Sequence, residues 1–362
     1  MSTTRRAALR TTRPRSSRAA RPGRRSTRIG LDGVLADLDR DAAPTALPGE
    51  AAGDGFTWDA ADRDDPAWWP QGVASLDEAG DVLLVSWYAK RRGRCSASPG
   101  ARISVVDRRD RERPRYRHVL LAAPRAWPLR PFGAVPVHAG GIAVVGDLLH
   151  VADTIAGVRV FRLSDVLRVP RRSLGRRLAR GAPAGEDDVL VLPQRQRLRV
   201  PLLTGTGRLR FSFVSVGEVA GQLSLVAGEY RRSGGAPRLV RYPLDPATGL
   251  PLPGARGRCA PVEVHEHAPP RMQGAAVHGS TWYVSASAGE GNPGDLHVGA
   301  PGALRRHRGV LPPGPEDLSW SRPGQELWCL SEWPGHRCVF PVDAARWTAS
   351  TGTGRPTEFT RG

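Results

Sequence analysis

Three observations predict an all-β chain closed into a single β-propeller of five blades, with six as the alternative. A short pattern returns five times, its apolar runs are brief and bounded by turn residues, and the last repeat lacks a final strand. The pattern begins at Gly72-Val73-Ala74 and returns at Gly141-Ile142-Ala143, Phe213-Val214-Ser215, Gly274-Ala275-Ala276 and Asp317-Leu318-Ser319. A second marker follows each one, at Val85-Ser86, Val151-Ala152, Val226-Ala227, Val284-Ser285 and Leu330-Ser331. The offsets between paired markers are 14, 11, 14, 11 and 14 residues, a regularity that unrelated strands do not keep.

Period-2 alternation divides the first repeat into strands over 73–76, 82–87, 103–106 and 118–122, and the second into 142–145, 148–152, 158–163 and 189–192. The third reads as 211–216, 223–227, 238–242 and 262–265, and the fourth as 275–277, 282–285, 295–298 and 309–311. The fifth gives only 318–320, 327–330 and 337–342. Closing a ring removes exposed strand edges, so residues 56–58 are expected to supply the missing strand from the other end of the chain. An insertion in the second repeat, residues 167–180, reads as a short basic helix broken by Gly175. The organisation is therefore an Arg-rich and then acidic arm over 1–55, a propeller over 56–346, and a tail over 347–362.

Composition agrees with that division. A hydrophobic content of 40% supports a core, and 42 Gly with 33 Pro supply many turns. No run approaches the ~18 apolar residues of a membrane span. Net charge is +18, but Lys90 is the only lysine among 53 basic residues, a bias that speaks for base composition as much as for phosphate contacts. Residues 1–28 carry ten Arg and no acid, while residues 32–66 carry ten acids against Arg40 and Arg63. Such blocks are expected to stay solvated, as a disordered arm. Thr4 to Arg10 is similar to a twin-arginine export motif, but polar residues 11–18 follow where an apolar stretch belongs, so the segment reads as a basic arm.

Of the four Cys (Cys95, Cys259, Cys329, Cys338), Cys329 and Cys338 flank a plausible hairpin turn and are the candidate disulfide; two free buried thiols are the alternative in a reducing compartment. The chain contains no Gly-rich phosphate loop, no GxSxG elbow and no HExxH.

In a propeller the first strand of each blade lines the channel, so residues preceding those strands converge at one mouth. They are Gln71, His138 with Gly140, Ser212, Gln273, and Glu316 with Asp317. Gln71, His138, Gln273, Glu316 and Asp317 are the candidate ligand residues, although residues so placed also cap strands or hold channel water. A second set after the second strands, Trp87, Asp153, Glu229, Ser287 and Glu332, is expected on the opposite face or at blade edges.

Two resemblances follow from the aligned repeats. Residues 141–153 with Gly157-Val158-Arg159-Val160-Phe161 are similar to LVIVD and NHL propeller repeats. Trp69-Pro70-Gln71-Gly72, His138-Ala139-Gly140-Gly141 and Gly314-Pro315-Glu316-Asp317-Leu318 resemble uncharacterised secreted proteins of high-GC bacteria, which implies export, with the cytoplasm as the alternative. The SMP-30/gluconolactonase family is the nearest enzyme comparison. It implies a divalent metal at the mouth, for which Glu316 and His138 are the candidates, but the partner Asn and Asp of that family are not in place.

The expectation is a monomeric, non-catalytic binding or interaction protein without a cofactor. It would take a protein, small molecule or glycan at the channel mouth. A metal-dependent hydrolase or lactonase and a polyanion binder acting through the Arg-rich arm are the alternatives.

Overall fold

The computed structural model describes residues 8–12, 26–90, 98–127, 129–200, 209–232, 237–254, 257–321 and 326–349. Four-stranded antiparallel units follow one another along the chain. The first contains Trp68–Ser75, Val82–Ala89, Ala101–Asp107 and Arg115–Pro124, paired in order. The second contains Ile142–Val145, Leu148–Asp153, Gly157–Arg162 and the long strand Asp188–Arg199. The third contains Phe213–Val219, Gln222–Gly228, Leu239–Pro243 and Glu263–His265, and the fourth Met272–His278, Thr281–Ala286, Pro293–Gly299 and Arg305–Pro313. The last has Pro315–Trp320, Leu327–Ser331 and Cys338–Val342, and Gly55–Thr57 pairs onto its edge, Val339 opposite Phe56. The two ends of the fold are thereby joined in one sheet, and the protein is a β-propeller.

The packing explains the repeat. Successive residues of a strand face opposite ways, and here both faces are buried. Val73 and Val85 pack with Trp328 and Leu330 of the last unit, whereas Ala74 and Leu84 pack with Ile142 and Val151 of the second. The same alternation continues round the molecule: Ala143 meets Val214, Phe213 meets Ala275, and Ala276 meets Leu318. The first strands lie against one another in cyclic order. Gly72 and Gly274 permit that approach. An added Cβ would stand 2.8 Å from the Ile142 nitrogen and 2.3 Å from the Leu318 nitrogen. Two of the paired markers are direct register partners, Gly72 opposite Ser86 and Gly274 opposite Ser285. Their different offsets reflect a six-residue connection (76–81) in one unit and a two-residue turn (279–280) in the other.

Two expectations need correction. The arm over 1–55 was expected to be disordered, yet residues 26–55 form a belt on the propeller. Thr27–Arg28 pairs with Leu167–Pro170, the helix Gly30–Leu35 buries Val34 completely, and Arg40–Asp41 pairs with the outer strand of the first unit. Leu9–Thr12 adds to Asp188–Arg199. The acidic block meets arginines of the propeller: Arg117 reaches Asp37 (3.2 Å) and Asp39 (3.5 Å), and Arg115 reaches Asp41 (3.3 Å), while Arg40 within the block reaches Asp59 (3.2 Å). The remaining basic residues of the arm, 1–7 and 13–25, lie outside the described residues, as does the tail from 350.

The second correction concerns the cysteines. Cys329 and Cys338 are free, buried thiols. Cys329 faces Phe340 and Cys338 faces Ser331, so the two are diagonal neighbours, about 7–8 Å apart, too far to bridge. Cys95 lies outside the described residues. The insertion carries a strand, Leu167–Pro170, before a one-turn helix, Arg176–Ala179, that starts directly after Gly175.

Candidate functional site

A cavity of about 340 Å3 opens at one end of the channel, and every unit contributes to it. Gln71, His138, Gly140, Ser212, Gln273 and Glu316, which lie in or just before the beginnings of the first strands, all line it. So do Tyr88, Lys90, Thr154, Tyr230 and Glu332, which lie at or just beyond the ends of the second strands. Trp69 and Trp333 complete the wall. The convergence has a simple cause: the first two strands of a unit run antiparallel, so a residue leaving the second returns beside a residue about to enter the first.

Four side chains form the floor as one linear network. The Gln71 Nε2 amide donates to Glu332 Oε2 at 2.8 Å and to the Pro70 carbonyl at 2.8 Å. Gln273 Nε2 donates to Glu316 Oε1 at 2.7 Å. The Glu316 and Glu332 carboxyls are neighbours, and like charges so placed disfavour full ionisation of both. Burial raises Glu316 well above the usual carboxylate range, and the neighbouring Glu332 and Asp317 charges push it the same way. Burial likewise raises Glu332, whereas the bond from Gln71 and the charges of Lys90 and Arg337 oppose the rise. Gln71 is fully buried and its Oε1 accepts no hydrogen bond.

The walls are aromatic. Trp69 and Trp333 meet edge to face at 5.2 Å, and His138 stacks on Tyr88 at 4.3 Å. The Lys90 ammonium lies 3.8 Å from the centre of the Trp69 ring. Tyr230 stands at the rim, 38% exposed.

Asp317 belongs elsewhere. It is completely buried, and its Oδ2 accepts from the backbone nitrogens of Val73 (3.3 Å) and Ile142 (3.1 Å), tying the last unit to the first and second. It braces the channel beneath the mouth and does not line the cavity. Of the residues expected on the far face, Glu332 is at the mouth instead; antiparallel return, once applied to Ser331, would have put it there. Trp87 is core, and Asp153 and Glu229 are buried in ion pairs with Arg159 and Arg238 (2.8 and 2.7 Å).

A second polar cluster, absent from the sequence reading, lies beside the first unit. Trp87 Nε1 donates to Ser104 Oγ (2.7 Å), Ser104 bonds His118 Nδ1 (2.9 Å), and His118 Nε2 bonds Asp62 Oδ2 (2.9 Å). Arg102 and the Tyr116 hydroxyl also donate to Asp62, at 2.6 and 2.7 Å. Ser, His and Asp stand in the order of a nucleophilic triad. All three are buried and Trp87 caps the Ser104 oxygen, so no substrate reaches it. Among the described residues no group of three or more His, Cys, Asp or Glu is placed to hold a metal ion, and His138 is stacked on Tyr88.

No family model matches the chain, and no curated protein does. Solved structures superpose weakly. Hydrazine synthase of Kuenenia stuttgartiensis shares 13% identity over 80% of this chain and 81% of its own, with a TM-score of 0.36. A gluconolactonase of Xanthomonas campestris shares 15% over 85% and 86%, at 0.37. The β-propeller domain of Cps50 (Swd1) from Myceliophteria thermophila shares 12% over 75% and 83%, at 0.31. Likeness at that level carries no argument about chemistry, and the fold rests on the strand pairings.

Proposed function

We propose that this protein is a small-molecule-binding propeller, five-bladed and without catalytic chemistry of its own, whose ligand sits in the channel mouth. One observation carries the reading: side chains from every unit, far apart in sequence, line a single cavity. Its volume falls at the small end of ligand pockets, which run from roughly 300 to 1,000 Å3. Glycosidase chemistry is a poor match, because paired carboxyls in those enzymes stand at least about 5 Å apart, whereas Glu316 and Glu332 are in direct contact.

A ligand-observed NMR screen of small polar compounds, run on the intact chain and on Thr154→Trp, tests the reading. The substituted side chain would fill the mouth from a surface turn. Hits should vanish in the variant; hits that persist unchanged remove the mouth as the site. A divalent ion that copurifies with the protein and is lost on Glu316→Gln would instead favour a metal-dependent hydrolase. Export, implied by the resemblance to secreted proteins, stays part of the proposal, without the disulfide as support.

A further inference from the structure

Beside the outer strand of the second unit, three strands lie in the order Arg258–Cys259, Leu9–Thr12 and Asp188–Arg199. Leu9, Leu198 and Cys259 turn to one face and enter the core. Residues alternate between faces along a strand, so their neighbours turn outwards. Arg10 stands directly opposite Arg199 on one side and Arg258 on the other, and all three are exposed. Arg197 lies two residues from Arg199 on the same face, opposite Thr12 and Arg159. Burial lowers the Arg197 pKa, and the Arg159 and Arg199 charges push it the same way; Asp153, already paired with Arg159, opposes them. Among the described residues no acid stands within ion-pair distance of Arg10, Arg197, Arg199 or Arg258. The adjoining segments 1–7, 13–25, 201–208 and 255–256 contain no acid in their sequence.

Elsewhere the same geometry is built the other way. Arg115 stands opposite Asp41 on one side and Asp107 on the other, and Arg241 stands opposite Glu263 at 2.7 Å. Like charges directly opposite in a sheet destabilise the pairing, and opposite charges stabilise it. A row of three arginines therefore works against the sheet that displays it, and an anion lying across the row removes that cost. Neighbouring strands are about 4.8 Å apart, so the row spreads three charges over about 10 Å. Guanidinium forks bind phosphate oxygens in pairs. A nucleic-acid duplex carries one phosphate charge for about every 1.7 Å of its axis. None of Arg10, Thr12, Arg197, Arg199 and Arg258 is aromatic, whereas surfaces for single strands add aromatic platforms on which bases stack. Contacts that grip phosphate and no base suit a duplex.

We propose that this face binds the phosphate backbone of a double-stranded nucleic acid, with Arg10, Arg197, Arg199 and Arg258 as the contact residues. Recognition of this kind is independent of base sequence and sensitive to salt. None of the four arginines lines the channel mouth, so the surface stands or falls apart from the cavity. The strand Leu9–Thr12 gains a role beyond packing: it sets Arg10 between two propeller arginines and completes the row.

The test is fluorescence anisotropy of a labelled DNA duplex titrated with the full chain at several salt concentrations between about 50 and 200 mM. Affinity should fall steeply with salt. Arg199→Gln and Arg258→Gln, both exposed changes, should each reduce the slope of log affinity against log salt by about one. Arg199→Glu gives the row the alternation of Asp41, Arg115 and Asp107. It should cut duplex affinity about tenfold or more at low salt and raise the thermal midpoint, because it relieves the repulsion on Arg10. Arg109→Glu, the same charge change on a turn of the first unit, should leave affinity nearly unchanged. Equal losses in Arg109→Glu and Arg199→Glu would trace binding to net charge and overturn the surface. Duplex binding that Arg199→Glu leaves intact overturns it too, and assigns binding to the rest of the Arg-rich arm. So does a lowered midpoint in Arg199→Glu, or no duplex binding at low salt. A single strand of the same length, or a sulfated oligosaccharide of equal charge, that binds more tightly than the duplex overturns the duplex as the occupant.

Discussion

Asp62 and Glu316 are both buried acids, and the fold treats them in opposite ways. Asp62 accepts from Arg102, Tyr116 and His118, and Arg337 donates to its backbone carbonyl at 2.6 Å. Burial alone would raise its carboxyl; the surrounding His118, Arg102 and Tyr116 outweigh that and hold it far below the usual range. Glu316 meets another carboxyl and rises. The Asp62 carboxylate is held by protein groups alone, and it locks the segment after the closing strand against the first unit. Glu316 and its neighbour Glu332 instead line a cavity.

The largest expected effect breaks the closed cluster. Asp62→Asn leaves Arg102 buried without its countercharge, and breaking a buried ion pair costs about 3–5 kcal/mol. Chemical denaturation should show a loss of that size. Whatever remains folded should still bind at the mouth, because Asp62 does not line it. An unchanged midpoint would mean that the cluster is not structural.

Gly274→Ala probes the scaffold under the open cluster. The new methyl would stand 2.3 Å from the Leu318 nitrogen and 2.6 Å from Asp317. Overpacking of this kind costs about 1–3 kcal/mol. The strain falls directly beside Glu316, so stability and ligand binding should decline together. Loss of stability with intact binding would uncouple the hub from the mouth.

How far these clusters could be read from sequence follows from how each is built. Gln71, His138, Gln273 and Glu316 were legible because each precedes a repeat marker. Glu332, Tyr88 and Lys90 were equally close to a marker and needed only the antiparallel return of the hairpin. Asp62 gave no local signal, since its partners Arg102 and His118 lie 40 and 56 residues away. The belt was hidden for a related reason: composition marks residues 32–66 as acidic but does not show that Arg115 and Arg117 wait on an outer strand. Spacing placed Cys329 and Cys338 on facing strands, but the register between those strands is decided by the whole hairpin.

Acid should separate the clusters further. Burial holds His118 neutral, with its pKa lowered to about 4 from an ordinary 6.5; Arg102 adds to the shift and Asp62 opposes it. Between those pH values the unfolded chain takes up a proton that the folded one refuses. Stability is therefore full above pH 6.5 and falls as pH drops towards 4. His118→Gln removes this contribution, so its stability should fall less steeply, by about 1 kcal/mol per pH unit, over that window. Parallel curves for the two proteins would show that His118 titrates normally.

Glu316→Gln should give the smallest effect and the opposite sign. Glu316 keeps its proton in the folded protein at pH values where the unfolded chain has released it. The folded state then binds more protons, and wild-type stability declines as pH rises above about 4.5. Glutamine accepts from Gln273 as Glu316 does and donates to Glu332 without titrating. The variant should match the wild type near pH 4 and gain on it steadily towards pH 8. Thermal melts of both proteins at pH 4, 6 and 8 would show this as a growing difference in favour of Glu316→Gln. A difference that stays constant would mean that Glu316 ionises normally and that the mouth carries a full pair of negative charges. A difference that shrinks with pH would contradict the contact between Glu316 and Glu332 on which the open cluster depends.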